Sequence, residues 1–386
     1  MHRQGSCAIF LFAITILLIA SGSTSAMAER VPYLIEPTET LNRKVFMDIL
    51  KDVGGAQGVN EVIQIAEAKS SKDAGVGSSG GQKSRLSERG FDLGLSVGYR
   101  VDDLDWSIAG NSSGTGPNIL SELTWNDLEI LQLKADAKFI LGNFPYVRGY
   151  LAYGSILKGK NQDSDYGGDN RTFEWSRSNN SADDGNVWDG SGGIGYQATS
   201  ASGKIKLAGL VGYSYHEQNL TMTNGYQTVS EPVYAPPDMT PIPIGPFPGL
   251  NSTYETEWNG PWFGVDLSYR PNEKWVFMGS FEYHWAEFNA EANWNLRSDI
   301  AHPKSFEQKA DGNGIVLSLV CDYYIRHNIS VNLGLDYQDW STDPGVHRVF
   351  FSKGTVGETR LKEVNWESGS IRLGFTVHFK GNDPNK

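Results

Sequence analysis

The feature of this sequence that most constrains its fold is a strict two-residue alternation of side chains. In FDLGLSVGYRV, from Phe91 to Val101, every odd-numbered residue is apolar and every even-numbered residue is polar, charged or glycine. Because successive side chains of a β-strand point to opposite faces, this segment predicts a strand with one apolar and one polar face. Four further segments alternate in the same way, at residues 131–139, 205–213, 263–270 and 371–379. A soluble β-sandwich would show the same alternation, so the pattern alone does not choose between a sandwich and a membrane barrel.

The lengths of the connections between strands favour a membrane barrel. Ten strands are predicted, at roughly 91–101, 119–141, 146–158, 187–199, 203–222, 253–270, 275–293, 305–326, 329–341 and 362–379. Tight turns at residues 142–144, 200–202, 271–273 and 327–328 alternate with longer polar connections, as in outer-membrane barrels with short periplasmic turns and long extracellular loops. Several strands exceed the ~9 to 11 residues that cross a bilayer. We therefore predict an all-β fold, a ten-stranded antiparallel transmembrane β-barrel that projects beyond the membrane, with lipid outside and polar side chains in the lumen.

The N-terminus predicts export from the cytoplasm. His2 and Arg3 precede the apolar run CAIFLFAITILLIA and the small residues Ala26-Met27-Ala28, which together are typical of a cleaved secretory signal peptide. We expect a signal peptide over residues 1–28 and the barrel over residues 89–380. Between them, residues 29–88 predict a short helical segment followed by a Gly/Ser-rich linker. The predicted location is the cell outer membrane of a Gram-negative-type envelope.

Composition narrows the classes of function. The chain has 33 Lys and Arg against 45 Asp and Glu, a net charge of −12, so binding to a nucleic-acid backbone has no electrostatic support. The 44 Gly, 17 Tyr, 17 Phe and 11 Trp fit short alternating strands with aromatic girdles. Cys7 lies within the predicted signal peptide, so Cys321 would be the one cysteine of the mature chain and could form no internal disulfide.

Several segments resemble one family of outer-membrane proteins. They are TYETEWNGPWFGVDLSYRPNEKWVFMGSFEYHW, ELTW, LKADAKF, NQDSDYGG and the closing SIRLGFTVHF. In order and spacing they look like the omptins, ten-stranded outer-membrane aspartic-type proteases, and their non-proteolytic Protochlamydia-type outer-membrane relatives. The likeness extends over roughly residues 90 to 379.

The resemblance implies a candidate active site that is only half present. Omptins pair an Asp-x-Asp in the second extracellular loop with an Asp-x-His in the fourth, and the two pairs hold and activate a water. Asp163 and Asp165 match the first pair, in a stretch whose Gly and Asn content predicts an irregular loop. Asn293 and Asn295 stand where the second pair is expected, and an amide cannot accept a proton.

A substitute general base can be sought later in the same loop. There His302, with Asp299 to orient it, could fold back toward the acid pair, although a loop histidine is more often simply solvated. His284, beside Glu282 on the polar face of a strand, fits better as part of a polar network in the lumen.

Two non-catalytic roles are open to the acid pair. Asp163, Asp165 and Asp169, with glycines that permit a turn, could surround a Ca²⁺ ion, or they could form a merely solvated acidic loop. The basic residues with which omptins hold lipopolysaccharide phosphates correspond here to Glu217 and Glu257, so the resemblance carries over no such lipid site.

Three functions remain open from the sequence. The first is a non-proteolytic surface barrel with a structural or adhesive role, the second a narrow, porin-like diffusion channel, and the third an omptin-type endopeptidase with a rearranged base. The expected partners are outer-membrane lipid and an extracellular or host surface ligand, without nucleic acid, and the oligomeric state stays open. The Pro-rich segment EPVYAPPDMTPIPIGPFPG predicts an extended, stiff loop suited to presenting a surface.

Overall fold

The computed structural model describes residues 89–236 and 241–380 of the chain. These residues form thirteen β-strands and one short 3₁₀ turn, Asp169–Arg171. The strands are β1 (Arg89–Ile108), β2 (Ser121–Leu141), β3 (Tyr146–Gly168), β4 (Thr172–Ser181), β5 (Gly185–Thr199), β6 (Ile205–Ser230), β7 (Gly245–Pro246), β8 (Asn251–Tyr269), β9 (Trp275–Asn293), β10 (Phe306–Arg326), β11 (Ile329–Thr342), β12 (Gly345–Phe350) and β13 (Val356–Lys380). In this part of the chain, no helix has the length and apolar character needed to span a membrane. The predicted signal peptide and helical segment lie outside the described residues, and the domain boundaries at 28 and 88 stay predictions.

The chain divides into two compact units. One comprises Leu86–Ala198 and Lys206–Lys386 and contains the sheet. The other comprises Met1–Arg85 and Thr199–Ile205, of which only the second stretch is described. That stretch is a tight turn closed by hydrogen bonds from the backbone N–H of Ser200 to the carbonyl of Ile205 (2.9 Å) and from Gly203 to Ser200 (3.0 Å).

The sheet closes upon itself as an antiparallel ring. Around the ring the order is β1, β2, β3, β4, β6, β8, β9, β10, β11 and β13, and β13 pairs again with β1. The shorter β5 also lies between β3 and β6, and β12 also lies between β10 and β13, so the ring has ten positions. At the closing seam Val97 lies opposite Leu373 on one side and Leu133 on the other. The predicted ten-stranded antiparallel barrel is confirmed.

The two faces of the strands follow the predicted alternation. Apolar side chains point outward and remain exposed, for example Val97 at 51% and Leu373 at 63% of full exposure. Polar and charged side chains point inward, where Arg100 and Asp102 are buried. A soluble protein would bury the first set and expose the second, so lipid is the solvent that suits this outer surface.

Ion pairs cross the lower part of the lumen, the part nearer the short turns. Arg148 on β3 reaches Asp266 on β8 (2.8 Å) and Glu282 on β9 (2.7 Å), and Arg100 on β1 reaches Asp189 on β5 (2.5 Å). These strands are not neighbours, so the side chains meet across the interior. Since a buried charge without a partner is costly, the pairing explains how a narrow lumen holds so many charged groups.

Aromatic side chains fill the lumen above these ion pairs. Trp125 on β2 stacks on Tyr254 of β8 with ring centres 5.0 Å apart, and Trp258 on β8 lies 5.9 Å from Trp340 on β11. All four side chains are almost completely buried. The upper barrel therefore has an aromatic core of its own, which the strand pattern alone did not predict.

The extracellular ends of several strands, β3 among them, are longer than predicted. Residues 161–168, NQDSDYGG, were expected to form an irregular loop, and this prediction is wrong because they form the end of β3. Asp163 pairs with Leu123 of β2 on one side and with Ser178 of β4 on the other. Pairing on both sides satisfies the backbone of a stretch whose composition disfavours a strand.

Candidate functional site at the extracellular mouth

The acid pair lies on the inner face of the barrel, near its extracellular end. Asp163 shares the face of its ladder partner Leu123, which is buried in the aromatic core, and Asp165 lies opposite Ser121 and Ser176. Both carboxylates are partly buried. The hydroxyls of Ser121 and Ser176 donate hydrogen bonds to Asp165. The pair thus forms an acidic wall of the mouth, well above the lipid-facing part of β3.

The environment of the pair favours protonated carboxyls. Burial and the negative charge of Asp165 hold the pKa of Asp163 well above its usual range. Burial also raises the pKa of Asp165 to about 6, although the two serine hydroxyls oppose the rise. Two carboxyls on alternate residues of one strand face cannot both ionise easily, so they titrate as a coupled pair.

The charge facing the pair is a guanidinium. Arg297, in the connection between β9 and β10, lowers the pKa of both Asp163 and Asp165 by its positive charge. Its Nε and Nη2 donate to the two carboxylate oxygens of Asp299, at 2.8 and 2.7 Å. This fork holds the pKa of Asp299 below its usual value. Asp299 is thus bound to Arg297 rather than to a histidine.

His302 is held within its own loop. Its Nδ1 lies 2.7 Å from the side-chain oxygen of Asn293, and its Nε2 lies 3.1 Å from the backbone carbonyl of Arg297. The structure therefore separates His302 from Asp299, with which the sequence paired it. Within the described residues, no histidine contacts either Asp163 or Asp165.

Asn295 has a structural set of partners. Its side-chain oxygen accepts from the backbone N–H of Asn251 (2.9 Å) and the hydroxyl of Ser252 (3.1 Å), and its amide donates to the carbonyl of Gly249 (2.7 Å). These bonds join the start of β8 to the β9–β10 connection. Together they use both the acceptor and the donor of an amide, which explains why an amide suits this position.

The three residues considered for Ca²⁺ do not converge. Asp169 lies in the exposed 3₁₀ turn beyond β3, where its carboxylate accepts from the backbone N–H of Asn118 (2.8 Å). Among the described residues, the carboxylates that lie within 4.8 Å of one another in a group of three are Glu217, Glu255 and Glu257. A Ca²⁺ site at the acid pair stays a prediction from the sequence.

Two histidines lie deep in the lumen. His284 is buried between Ser214 (2.9 Å) and Glu282 (3.0 Å), as expected for a residue of a polar network. His216 lies 2.8 Å from Asp189, which also binds Arg100. Sequence reasoning missed His216 and Arg297. The alternation places His216 on the lumen face, but nothing local indicates that Arg297 faces the acid pair.

The arrangement at the mouth can bind charge, but among the described residues it does not bring an imidazole into contact with the acid pair. A guanidinium stays protonated at all ordinary pH values, and amides do not take up protons. In the part of the chain that the structure describes, the groups at the acid pair that could accept a proton from a water are therefore the carboxyls themselves, and no imidazole contacts them to share that role.

Comparisons with known proteins agree with this architecture. The model of the family described as Protochlamydia outer membrane protein matches residues 94–379. The crystal structure of the outer membrane protease OmpT from Escherichia coli is similar in fold, with a TM-score of 0.58 and 16% identity, over 76% of this chain and 98% of that one. No curated protein matches by sequence.

Two further solved structures are more distant. Ail, the attachment invasion locus protein of Yersinia pestis, has a TM-score of 0.28 and 8% identity, over 75% of this chain and 99% of that one. The translocator domain of the autotransporter NalP from Neisseria meningitidis has a TM-score of 0.30 and 11% identity, over 88% of this chain and 100% of that one. The fold and the family match confirm the predicted outer-membrane location and contact with membrane lipid. With the match covering residues 94–379 of 386, the chain belongs to the Protochlamydia outer membrane protein family.

Proposed function

We propose that this protein is a non-proteolytic, closed barrel that presents an adhesive surface outside the cell. The observation that carries the proposal is the charge near the acid pair, since the cation whose charge acts on Asp163 and Asp165 is Arg297, and His302 is bound to Asn293 instead of to either acid. Hydrolysis by two facing pairs needs a base that can accept a proton from water. Arg297, Asn293 and Asn295 cannot fill that role.

The filled lumen supports a closed barrel rather than a diffusion channel. Below, Arg148 bridges β3 to β8 and β9; above, Trp125 and Tyr254 stack from opposite sides of the interior. A solute would have to displace both a paired layer of charges and a packed aromatic layer. Either displacement leaves buried groups without partners, at a cost of several kcal/mol per ion.

A peptide assay tests the absence of proteolysis. Refolded barrel is incubated with peptides that contain paired basic residues, and cleavage is followed by mass spectrometry. We expect the wild type to release no more product than Asp163→Ala, which removes one carboxyl of the pair. Turnover by the wild type that Asp163→Ala abolishes would show a working protease and overturn the proposal.

A conductance assay tests the closed lumen. We expect purified barrel in planar bilayers to give no stepwise current. Correct insertion is checked independently, since Trp188 and Trp275 are exposed on the outer wall and should be quenched by brominated acyl chains. Regular conductance steps from inserted protein would favour the channel.

A further inference from the structure

An aromatic pair lies at the extracellular tip of the barrel. Phe173, the second residue of β4, packs on Tyr234 in the connection after β6, with ring centres 5.1 Å apart. Both remain largely in solvent, Phe173 at 57% and Tyr234 at 44%, and the neighbouring Val233 is exposed at 79%. Large side chains that stay exposed together at one end of a protein indicate a surface that another body covers.

The backbone is shaped to keep this pair exposed. Phe173 has φ 55°, a left-handed conformation that aromatic residues rarely adopt, and the nearby Asn170 and Arg171 also have positive φ. A Cβ on Gly168 would lie 2.5 Å from the Phe173 ring, and one on Gly167 would lie 2.6 Å from the carbonyl oxygen of Tyr234. Uncommon backbone geometry of this kind is retained where the surrounding structure and the function require it.

The tip carries little charge that a partner could recognise. Arg171 is paired with Glu122, and Arg177 with Glu174, which leaves two exposed carboxylates, Glu231 beside the aromatic pair and Asp169 in the adjoining turn. Further along the same connection, residues 241–250 contain no charged residue and expose Ile242 and Ile244. The tip is therefore apolar with a slightly acidic border, which disfavours an anionic partner.

We propose that Phe173, Val233 and Tyr234 insert into the interfacial layer of an opposing zwitterionic bilayer. Tyrosine and phenylalanine suit that layer because their rings bury among acyl chains while polar atoms stay near the headgroups. A second copy in the same membrane presents its tip in the same direction, so it cannot cover this one face to face. The inference rests on the proposed surface role and names the partner of that surface.

Vesicle flotation tests the inference. The full-length barrel is inserted in lipid nanodiscs and mixed with phosphatidylcholine vesicles, and the fraction that floats with the vesicles is measured. We expect binding that is unchanged between low and roughly 0.5 M salt, because apolar insertion is not screened by ions. Phosphatidylserine vesicles should bind less because of the acidic border. For the double variant Phe173→Ser, Val233→Ser, we expect binding to the vesicles to be weaker by a factor of about ten or more.

Matched variants separate insertion from a loss of structure. Val356→Ser removes a valine that is 57% exposed at the start of β13, on a different extracellular hairpin from the aromatic pair, and should leave flotation unchanged. Phe173→Leu keeps an apolar side chain and should retain most of the binding. Absence of flotation by the wild type, an equal loss in Val356→Ser, or binding only to protein-coated surfaces would each overturn the inference. Because the peptide and conductance assays are independent of vesicles, they report on the proposed function separately.

Discussion

Arg148 donates two hydrogen bonds across the lumen to Asp266, from Nε to Oδ2 at 2.8 Å and from Nη2 to Oδ1 at 3.0 Å. Its third donor, Nη1, binds Glu282 at 2.7 Å, and its guanidinium lies over the Trp262 ring. One arginine thus connects three strands and supplies the positive charge that two interior acids face.

We predict that Arg148→Met strongly destabilises the barrel. The change leaves Asp266 and Glu282 inside without their cation, which typically costs about 3–5 kcal/mol. The free energy of unfolding in a denaturant series measures the loss. Lys160→Met removes one partner of the exposed pair with Asp127, and this control should cost less than about 1 kcal/mol. Equal losses in the two variants would contradict the prediction.

The acid pair predicts stability that falls as the pH rises. Since the pKa of Asp165 is raised to about 6 when folded, the native state binds more protons than the unfolded chain between roughly pH 4 and 6. This group therefore stabilises the fold most at low pH. The free energy of unfolding falls by at most about 3 kcal/mol as the pH rises through that window. The measurement is the free energy of unfolding across this pH range, for the wild type and for the double variant Asp163→Asn, Asp165→Asn. The double variant should lack this slope, and an unchanged slope would exclude the pair as its origin.

The burial of His347 predicts the opposite pH dependence, a free energy of unfolding that rises with pH. This residue of β12 is buried against Trp106 and Phe306, and burial lowers its pKa to about 4. Its depressed folded pKa gives stability that is complete above about pH 6.5 and is lost as the pH falls toward 4, by up to about 3 kcal/mol. His347→Gln should remove this acid sensitivity without affecting the slope from the acid pair. The same pH series on the two variants separates the contributions, and acid sensitivity that persists in His347→Gln would contradict the assignment.

Two adjacent glycines of β5 form a matched pair of sites. A Cβ on Gly193 would lie 2.4 Å from the ring of Trp262, whereas a Cβ on Gly192 would meet nothing within 4 Å. Gly193→Ala should therefore lose about 1–3 kcal/mol through overpacking, and Gly192→Ala should change stability by less than about 1 kcal/mol. Denaturant unfolding of both variants checks the difference. A Gly192→Ala loss as large as that of Gly193→Ala would show that backbone freedom, and not the contact with Trp262, is what matters.

Much of the fold follows from the sequence because a barrel strand has only two faces. The alternation from Phe91 to Val101 assigns Arg100 to the lumen and Val97 to lipid without knowledge of any neighbour. The short turns identify the periplasmic end of the barrel. The sequence does not predict which charged side chains pair, because Arg148 and Asp266 lie on strands whose relative positions depend on closure of the whole sheet.

The candidate site was predictable only in part. The resemblance identified Asp163 and Asp165, but their composition concealed the strand because ladder pairing, a non-local effect, overrides a low local propensity. Arg297 was missed because a loop side chain takes its direction from tertiary contacts, here the fork to Asp299. Its position two residues after Asn295 was the available signal, since a cation near a replaced acid–histidine pair is a natural counter-charge for the remaining acids.

The seam between β1 and β13 joins the first and last strands of the described chain, at pairs such as Gly90 with Lys380. The ring cannot close until β13 has been made, because β13 is the partner of β1. Until the ring closes, β1 and β13 each have an unpaired edge, and contacts so distant in sequence form slowly. A chain truncated before residue 356 could still form its hairpins, but it would lack β13 and could not close the ring. β13 is therefore required for assembly of the barrel.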